Sequence, residues 1–200
     1  MTSNPTPLAL VTLAVVILCW IAFVSVFIFR GKTAKTQEAK RDPAATFGIA
    51  LQMLGYALVF FQPPRKAFLP PVPALAGAAG VVFSVFTMAL AVGSVWLVGA
   101  AARRLGKQWA IAARLVEGHN LVTDGPYSFV RNPIYTGMFG MLIASGLAFE
   151  RWITLPIAIV VFAVGLVIRV RTEEKLLRGA FGQEFEDYAK RVPAVIPGIY

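Results

Sequence analysis

Charged residues are scarce in this 200-residue chain, at 14% of the total, whereas a soluble domain carries about 25%. The missing charge is not spread evenly, because several long apolar runs contain none and the charged residues collect between them. Hydrophobic residues make up 58% of the chain, and its mean hydropathy is +0.70. This composition excludes an ordinary soluble domain and indicates an integral membrane protein.

Cysteine and histidine occur only once each, as Cys19 and His119. A single cysteine in an apolar run excludes an intramolecular disulfide and makes thiol chemistry unexpected. Because His119 has no second histidine or cysteine near it, we predict no metal site. The chain also lacks a Walker-type glycine loop and a GxSxG motif, so the sequence gives no support to those classes of nucleotide-binding protein and hydrolase.

Five apolar runs approach or reach the roughly 20 residues that a helix needs to cross a bilayer. They cover residues 8–29, 44–62, 74–102, 135–149 and 152–168, and the fourth is short for a full span. We therefore predict an all-α, polytopic membrane protein with about five transmembrane helices. We also predict a single membrane-embedded domain, with N-terminal transmembrane helices in residues 8–102 and the remaining core in residues 103–200.

Basic residues indicate how the chain is oriented. Sixteen of the 19 lie in three segments, residues 30–41, 103–131 and 169–191, that fall on one side of the membrane if there are five spans. The positive-inside rule then places the N-terminus outside and the C-terminus in the cytoplasm. The net charge of +9 thus reflects topology and anionic lipid headgroups, and we do not expect nucleic acid as a partner.

The C-terminal tail has apolar residues at near-helical spacing with charged residues between them. This pattern predicts an amphipathic helix that lies at the membrane surface or over a site. Pro193 and Pro197 are expected to end it. The apolar positions are Leu176, Leu177, Phe181, Phe185 and Tyr188.

Residues 117–137 are dense in turn-forming residues. Gly125-Pro126 and Asn132-Pro133 disfavour a regular helix between Asp124 and Pro133, because the residue before a proline avoids the helical region. Irregular backbone is tolerated at membrane depth only where it is buried in protein or lines a cavity. This segment therefore predicts a ligand pocket.

Arginines and glutamates alternate at the end of the fifth apolar run, in Arg169-Val-Arg-Thr-Glu-Glu174. On a helix, Arg169 and Glu173 are four residues apart and Arg171 and Glu174 are three apart, so each pair can meet. Snorkelling towards the interface would account for the arginines, but two adjacent glutamates at a basic boundary are less expected. Ionisable groups held near the membrane favour the hypothesis of a functional site at this position.

Four motifs follow one another in the second half of the chain: Leu105-Gly-x-x-Trp109; His119-x-Leu121-Val122-Thr123-x-Gly125-x-Tyr127 with Arg131-x-Pro133-x-Tyr135-x-Gly137; Arg169-x-Arg171-Thr-Glu-Glu174; and Phe181-Gly-Gln-Glu-Phe-x-x-Tyr188-x-x-Arg191-Val-Pro193. Together they resemble the core of the isoprenylcysteine carboxyl methyltransferase family. The resemblance extends over about residues 103–197, and it implies that residues 103–200 are the cofactor-binding catalytic core. Asn132 stands where that family often has histidine, and asparagine there is similar to the phospholipid N-methyltransferase branch of the same superfamily.

The resemblance implies S-adenosylmethionine as the methyl donor, which needs aromatic faces, hydrogen bonds and opposite charges. It also implies Arg171, Arg169 and Glu174 as catalytic residues. A carboxylate acceptor is already ionised near pH 7, so an arginine that holds it would suffice, whereas an amine acceptor would need a base. The implied cofactor-binding residues are His119, Leu121, Val122, Tyr127, Arg131, Asn132, Pro133, Tyr135, Glu173 and Glu174.

Four functions stay open on the sequence. The first is carboxyl O-methylation of an isoprenylcysteine-like acid, and the second is N-methylation of a phospholipid or another lipid amine. The third is an NADPH-dependent membrane reductase, since the superfamily also contains such enzymes, and the fourth is a membrane protein without enzymatic activity. The expected partners are membrane lipids and a lipophilic small-molecule or prenylated substrate, and the sequence does not indicate an oligomeric state.

Overall fold

The structure is a computed structural model that describes residues 6–31, 43–61, 77–106 and 120–196. These residues form six α-helices and no β-strand, which confirms the predicted all-α membrane fold. His119, Trp109 and Pro197, which the sequence singled out, lie outside the described residues. The helices are α1 (Pro7–Gly31), α2 (Pro43–Phe60), α3 (Gly77–Leu105), α4 (Pro133–Ala148), α5 (Thr154–Phe181) and α6 (Gln183–Arg191).

Four of these helices, α1, α2, α3 and α5, are long and apolar enough to cross a membrane. The apolar helix α4 has only 16 residues, which at 1.5 Å per residue is shorter than a bilayer core of about 30 Å. The chain is thus a multi-pass membrane protein, and the count of five spans stays a prediction.

The C-terminal tail is two helices, where the sequence predicted one amphipathic helix. Helix α5 runs on past residue 168 to Phe181, and α6 begins at Gln183. The break lies at Gly182, whose φ of 51° is a left-handed value that glycine adopts without steric cost. Phe185 and Tyr188 of α6 are buried, whereas Leu176, which the sequence placed on the same apolar face, is exposed.

Helices α2 and α5 pack antiparallel and very close together. A Cβ atom on Gly165 would lie 2.6 Å from the carbonyl oxygen of Gly48, and one on Gly48 would lie 2.6 Å from Cγ of Arg169. One to two turns along, Gly55 faces Ala158 and Phe162 in the same way. Small residues at these positions let the two backbones approach, as is typical of helix pairs in membranes.

Helix α4 packs against α3 through the small residues of its first two turns. A Cβ atom on Gly137 would lie 2.5 Å from Val98 Cγ2, and one on Gly140 would lie 2.4 Å from Ser94 Oγ. Two hydrogen bonds tie α4 to the N-terminal helices. Trp20 Nε1 donates to Ser145 Oγ at 2.8 Å, and the Tyr56 hydroxyl donates to the Met138 carbonyl at 2.7 Å.

This packing brings three helix ends to one end of the bundle: the C-terminus of α3, the N-terminus of α4 and the C-terminus of α5. Arg104, near the end of α3, makes a two-pronged ion pair with Asp124, which starts the link towards α4. Just before α4, Arg131 meets Glu174 of α5. The segment that the sequence predicted as irregular therefore lies among these three ends.

The close α2–α5 crossing predicts that Gly165→Ala destabilises the protein by about 1–3 kcal/mol, because the added methyl group meets backbone and overpacks the interface. Gly93→Ala is the matched control, since a Cβ atom there has nothing within 4 Å and alanine is the better helix former. Thermal unfolding in detergent measures both. Equal unfolding temperatures for the two variants would contradict the interface described above.

Candidate functional site

The adjacent residues Glu173 and Glu174 on α5 belong to two different polar clusters. Both lie near the end of the bundle where α3, α4 and α5 converge. The Glu173 side chain is 26% exposed and the Glu174 side chain 7% exposed. Neighbouring residues on a helix point about 100° apart, so each carboxylate meets its own set of partners.

The first set, which we call the inner cluster, consists of Gln52, Tyr135, Arg169 and Glu173. Arg169 Nη2 lies 3.3 Å from Glu173 Oε1, and the hydroxyl of Tyr135 donates to that same oxygen. The Arg169 guanidinium also stacks over the Tyr135 ring, with its central carbon 4.6 Å from the ring centroid. The cluster thus joins α2, α4 and α5 through a buried positive charge, a carboxylate and an aromatic face.

Gln52 is the member of the inner cluster that the sequence did not single out. It is fully buried on α2, and its Oε1 accepts a hydrogen bond from Arg169 Nη1 at 3.3 Å. The sequence carries only a weak signal for it, namely one amide side chain inside an apolar run. Nothing in that run indicates which helix the amide faces.

The second set, the outer cluster, consists of Arg131, Glu174, Arg178 and Glu186. Arg131 Nε and Nη2 donate to Glu174 Oε1 at 3.0 and 2.8 Å. Arg178 Nη2 donates to the other oxygen, Oε2, at 3.2 Å, and its Nε donates to Glu186 Oε1 at 2.8 Å. Two arginines therefore surround the Glu174 carboxylate.

Arg131 also holds the C-terminus of α6. Its Nη1 donates to the backbone carbonyls of Ala189, at 2.8 Å, and Val192. A positive charge at a helix C-terminus interacts favourably with the helix dipole and with carbonyls that have no partner within the helix. Four of the five guanidinium N–H groups are thus engaged by the protein itself, in contacts to α5 and α6.

Residues that precede and begin α4 pair with the segment after α6. The backbone N–H of Arg131 donates to the Pro193 carbonyl at 2.8 Å. Both the backbone N–H and the side-chain amide of Asn132 donate to the carbonyl of Ala194, at 3.0 and 3.1 Å. Thr136 Oγ1 donates to the carbonyl of Val195 at 2.8 Å. The C-terminal segment therefore supplies hydrogen-bond partners for backbone groups before α4, as buried polar groups require.

Two buried tyrosines lie outside the membrane-spanning helices. Burial raises the pKa of Tyr127 well above its ordinary value, and the charge of Glu173 adds to this effect. Burial raises the pKa of Tyr188 to about 12, and its hydroxyl donates to the carbonyl of Tyr127 at 2.6 Å. Both phenols are protonated at neutral pH, so Tyr127 presents an aromatic ring and a neutral hydroxyl near Glu173.

Asp124 differs from these buried groups because it is exposed. The hydrogen bond from Arg104 lowers the pKa of the Asp124 carboxyl. The lowered pKa means that the pair contributes stability above the ordinary pKa of aspartate, and that this contribution is lost as the pH falls through the lowered value. The contact fixes the position of the short 3-10 helix at Gly125–Ser128 against α3.

Of the two arginines that the sequence suggested as a clamp, the structure brings only Arg169 into the bundle. Its side chain is 6% exposed, whereas Arg171 is exposed and has no ion pair with Glu174 among the described residues. Residues two apart on a helix do not face the same way, so burying one exposes the other. The pairing predicted for Arg171 and Glu174 is replaced by the contacts of Glu174 with Arg131 and Arg178.

The other predicted site residues are distributed around these clusters. Pro133 is fully buried at the start of α4, and Leu121 and Val122 are partly buried in the segment before it. Among the described residues, no group of three or more His, Cys, Asp or Glu side chains is placed to hold a metal ion.

The contacts of Arg131 predict that Arg131→Lys loosens α6, because one ammonium group cannot reach Glu174 and two carbonyls in the same fork geometry. We expect a loss of about 1.5–3 kcal/mol for each charge-assisted hydrogen bond removed. Faster hydrogen exchange of residues 183–191 would report it. Arg191→Lys, on the exposed face of α6, is the control, and equal exchange in both variants would refute the capping role.

Comparison with known proteins shows similarity to membrane methyltransferases and to a metal-resistance protein. A model of the phospholipid methyltransferase family matches residues 78–184. The chain is 33% identical over 87 residues to a protein-S-isoprenylcysteine O-methyltransferase of Schizosaccharomyces pombe, which covers 44% of this chain and 37% of that protein. It is 34% identical over 107 residues to the nickel-cobalt-cadmium resistance protein NccN of Alcaligenes xylosoxydans xylosoxydans, which covers 52% of this chain and 49% of that protein.

A solved structure has the same fold. It is that of a eukaryotic intramembrane Ras methyltransferase, isoprenylcysteine carboxyl methyltransferase, and it superposes with a TM-score of 0.60 at 21% identity. The superposition covers 92% of this chain and 63% of that one. The matches to the two sequence relatives span less than half of the length of each.

Proposed function

The chain belongs to the phospholipid methyltransferase family, and on that basis we propose that it is a membrane-embedded methyltransferase that uses S-adenosylmethionine. We propose further that its acceptor is the carboxylate of a lipophilic, isoprenylcysteine-like acid. The observation that carries this proposal is the inner cluster, in which a buried arginine meets a carboxylate and an aromatic face between three helices. Similarity to proteins named protein-S-isoprenylcysteine O-methyltransferase supports the acceptor class.

The residues around the inner cluster fit the methyl donor chemically. When bound, the donor supplies an electrophilic methyl group on a sulfonium sulfur. Aromatic faces attract such a cation, and Tyr127 and Tyr135 provide two in buried positions. The Glu173 carboxylate, which remains partly exposed, is placed to accept hydrogen bonds from an ammonium or a ribose. The backbone of Leu121 and Val122, together with His119, Asn132 and Pro133, would shape the adenine end.

We propose that Arg169 orients the acceptor. A carboxylate needs no proton removed before it attacks, so catalysis reduces to holding it in line with the methyl group in a dry pocket. A guanidinium can bind a carboxylate through two parallel N–H donors. The hydrogen bonds of Arg169 to Gln52 and to Glu173 are both long, at 3.3 Å, and catalytic hydrogen bonds often tighten only when the ligand is bound.

Glu174 and Arg131 have roles around this site. Their mutual ion pair and the contacts of Arg131 to α6 position the start of α4, and Tyr135 follows two residues after Pro133. We propose that they order the site around the reacting groups. Arg131 would then affect cofactor binding indirectly, by positioning these helix ends, and one of its N–H donors would remain for direct contact with the cofactor.

An amine acceptor fits the cluster less well. It must lose a proton before it attacks, and the carboxylate nearest to the site, Glu173, already accepts from Arg169 and Tyr135 on one oxygen. Asn132, which favoured an amine on sequence grounds, binds the backbone of Ala194. The asparagine at this position is therefore explained by its contact with the C-terminal segment, and it gives little support to an amine acceptor.

We propose that the site opens towards the cytoplasm and that the N-terminus lies outside. The helix ends that carry Arg104, Arg131 and Arg178 converge at one end of the bundle, and the positive-inside rule assigns that end to the cytoplasm. A water-soluble cofactor would enter from there. A lipophilic acceptor would enter sideways from the bilayer.

The test of the proposed function is methyl transfer from S-adenosylmethionine to N-acetyl-S-farnesylcysteine by the purified protein in nanodiscs. We expect activity in the wild type and a loss of about tenfold or more in Arg169→Lys, because a misaligned acceptor costs rate steeply and lysine lacks the planar fork. Arg171→Lys is the matched control, since it makes the same change two residues away on the exposed face.

Affinity for S-adenosylhomocysteine, measured on the same preparations, should change far less than the rate in Arg169→Lys. Equal activity of the two lysine variants on the acid would contradict the role of Arg169. Methylation of an amine lipid instead of the acid by the wild type would move the assignment to the N-methyltransferase alternative.

A further inference from the structure

Gln52 lies in the middle of α2, in the part of the chain that precedes the residues matched by the family model. It lies eight positions before Phe60 and nine positions after Pro43. At 1.5 Å per residue, the amide lies about 12 Å from either helix end. It is therefore a polar group near the middle of a membrane-spanning helix, and its side chain is fully buried.

The orientation of the Gln52 amide is fixed by its neighbour. A guanidinium offers only donors, so the amide oxygen must face Arg169 Nη1, as it does at 3.3 Å. The side-chain nitrogen, Nε2, is a donor and so does not bond to the guanidinium. It has no hydrogen-bond partner among the residues that the structure describes.

The close crossing of α2 and α5 is what brings this amide to the inner cluster. Gly48 lies one helical turn before Gln52 on the same face, and the absence of a side chain there leaves room for the stem of Arg169. A Cβ atom on Gly165 would lie 3.1 Å from the backbone nitrogen of Gln52. The two glycines thus set the distance between the amide and the guanidinium.

An unpaired donor in a buried position is destabilising and calls for an explanation. A water-soluble cofactor approaches the site from the aqueous end of the helices, whereas a lipophilic acceptor approaches from the bilayer. The ligand oxygen atoms that can reach the buried Gln52 amide are therefore those of the acceptor. The amide is also held beside the one buried guanidinium of the inner cluster. Gln52 Nε2 and the Arg169 guanidinium are two buried donors from neighbouring side chains, which matches the two oxygens of a carboxylate.

We propose that Gln52 determines acceptor specificity, with its Nε2 donating to the carboxylate of the acceptor that Arg169 holds. This inference rests on the proposed function, which it extends to a helix outside the matched region. An ammonium group has no lone pair with which to accept hydrogen bonds from Gln52 and Arg169. It would also add a second positive charge beside Arg169. The methylated product is an uncharged ester, so it binds these donors more weakly than the acid and leaves the site.

The test compares the binding of N-acetyl-S-farnesylcysteine with that of its methyl ester, to the full chain in nanodiscs. We expect the wild type to prefer the acid. Gln52→Leu, which keeps the approximate size and removes both the donor and the oxygen that faces Arg169, should weaken acid binding about tenfold to a hundredfold, the range for one hydrogen bond to a charged group. Ester binding should stay within about twofold, since the ester lacks the charge.

Two further variants separate this role from a structural one. Gln52→Glu keeps an oxygen for Arg169 but repels the acid, so its preference for the acid should be lost. Thr87→Val is the control, because Thr87 is a fully buried polar residue of α3 whose hydroxyl donates to the carbonyl of Phe83. It should leave both affinities unchanged. If Gln52→Leu does not fold, Gln52→Asn takes its place in the test, because asparagine keeps the amide but withdraws it by one methylene.

Equal affinity of the wild type for acid and ester, or an equal loss of both in Gln52→Leu, would overturn the inference. Methyl transfer by the wild type decides the proposed function separately, because the binding comparison requires no turnover. Transfer to the acid together with unchanged acid binding in Gln52→Leu would overturn the role of Gln52 alone. A preference for the acid that Gln52→Leu abolishes supports the role of Gln52 even if no methyl transfer is found.

Discussion

A guanidinium buried between apolar helices is the constraint on which the site depends. Arg169 is 5% exposed, and a buried charge is costly unless it is paired and hydrogen-bonded. Glu173 supplies the opposite charge one turn away, Tyr135 supplies an aromatic face, and Gln52 supplies an amide oxygen. Each comes from a different helix or turn, so satisfying one arginine fixes the relation of α2, α4 and α5.

The two adjacent glutamates divide this work. Glu173 faces the inner cluster and keeps part of its side chain exposed, whereas Glu174 is enclosed by Arg131 and Arg178. Through Arg131 the second glutamate is linked to the carbonyl end of α6. The C-terminal segment in turn supplies acceptors for the backbone before α4. The fold thus separates a partly exposed carboxylate from an enclosed one that holds the surrounding structure together.

Much of this arrangement was predictable from the sequence. Apolar runs indicated the helical membrane fold, and Pro126 and Pro133, each after a turn-forming residue, indicated the irregular segment before α4. The i,i+4 spacing predicted the contact between Arg169 and Glu173. The ordered motifs predicted a family that is confirmed, although the match to the family model begins at residue 78, upstream of the predicted core.

Other features depend on tertiary contacts that no local pattern contains. Which of Arg169 and Arg171 faces the bundle depends on the rotation of α5, and that rotation is set by the glycine crossing with α2. The capping of α6 by Arg131 joins residues 58 and 61 apart in sequence. Gln52 lies in a run whose composition is typical of any membrane span. The break at Gly182 was visible as a glycine, but its φ depends on how α6 packs.

The most direct test of the proposed site is a structure with S-adenosylhomocysteine bound. We predict that the thioether sulfur lies beside the Tyr135 ring and faces Arg169, with the amino-acid end near Glu173. Arg131 should keep its contacts to Glu174 and α6. A cofactor bound elsewhere, with the inner cluster unchanged and remote from its sulfur, would contradict the claim that this cluster is the site of methyl transfer.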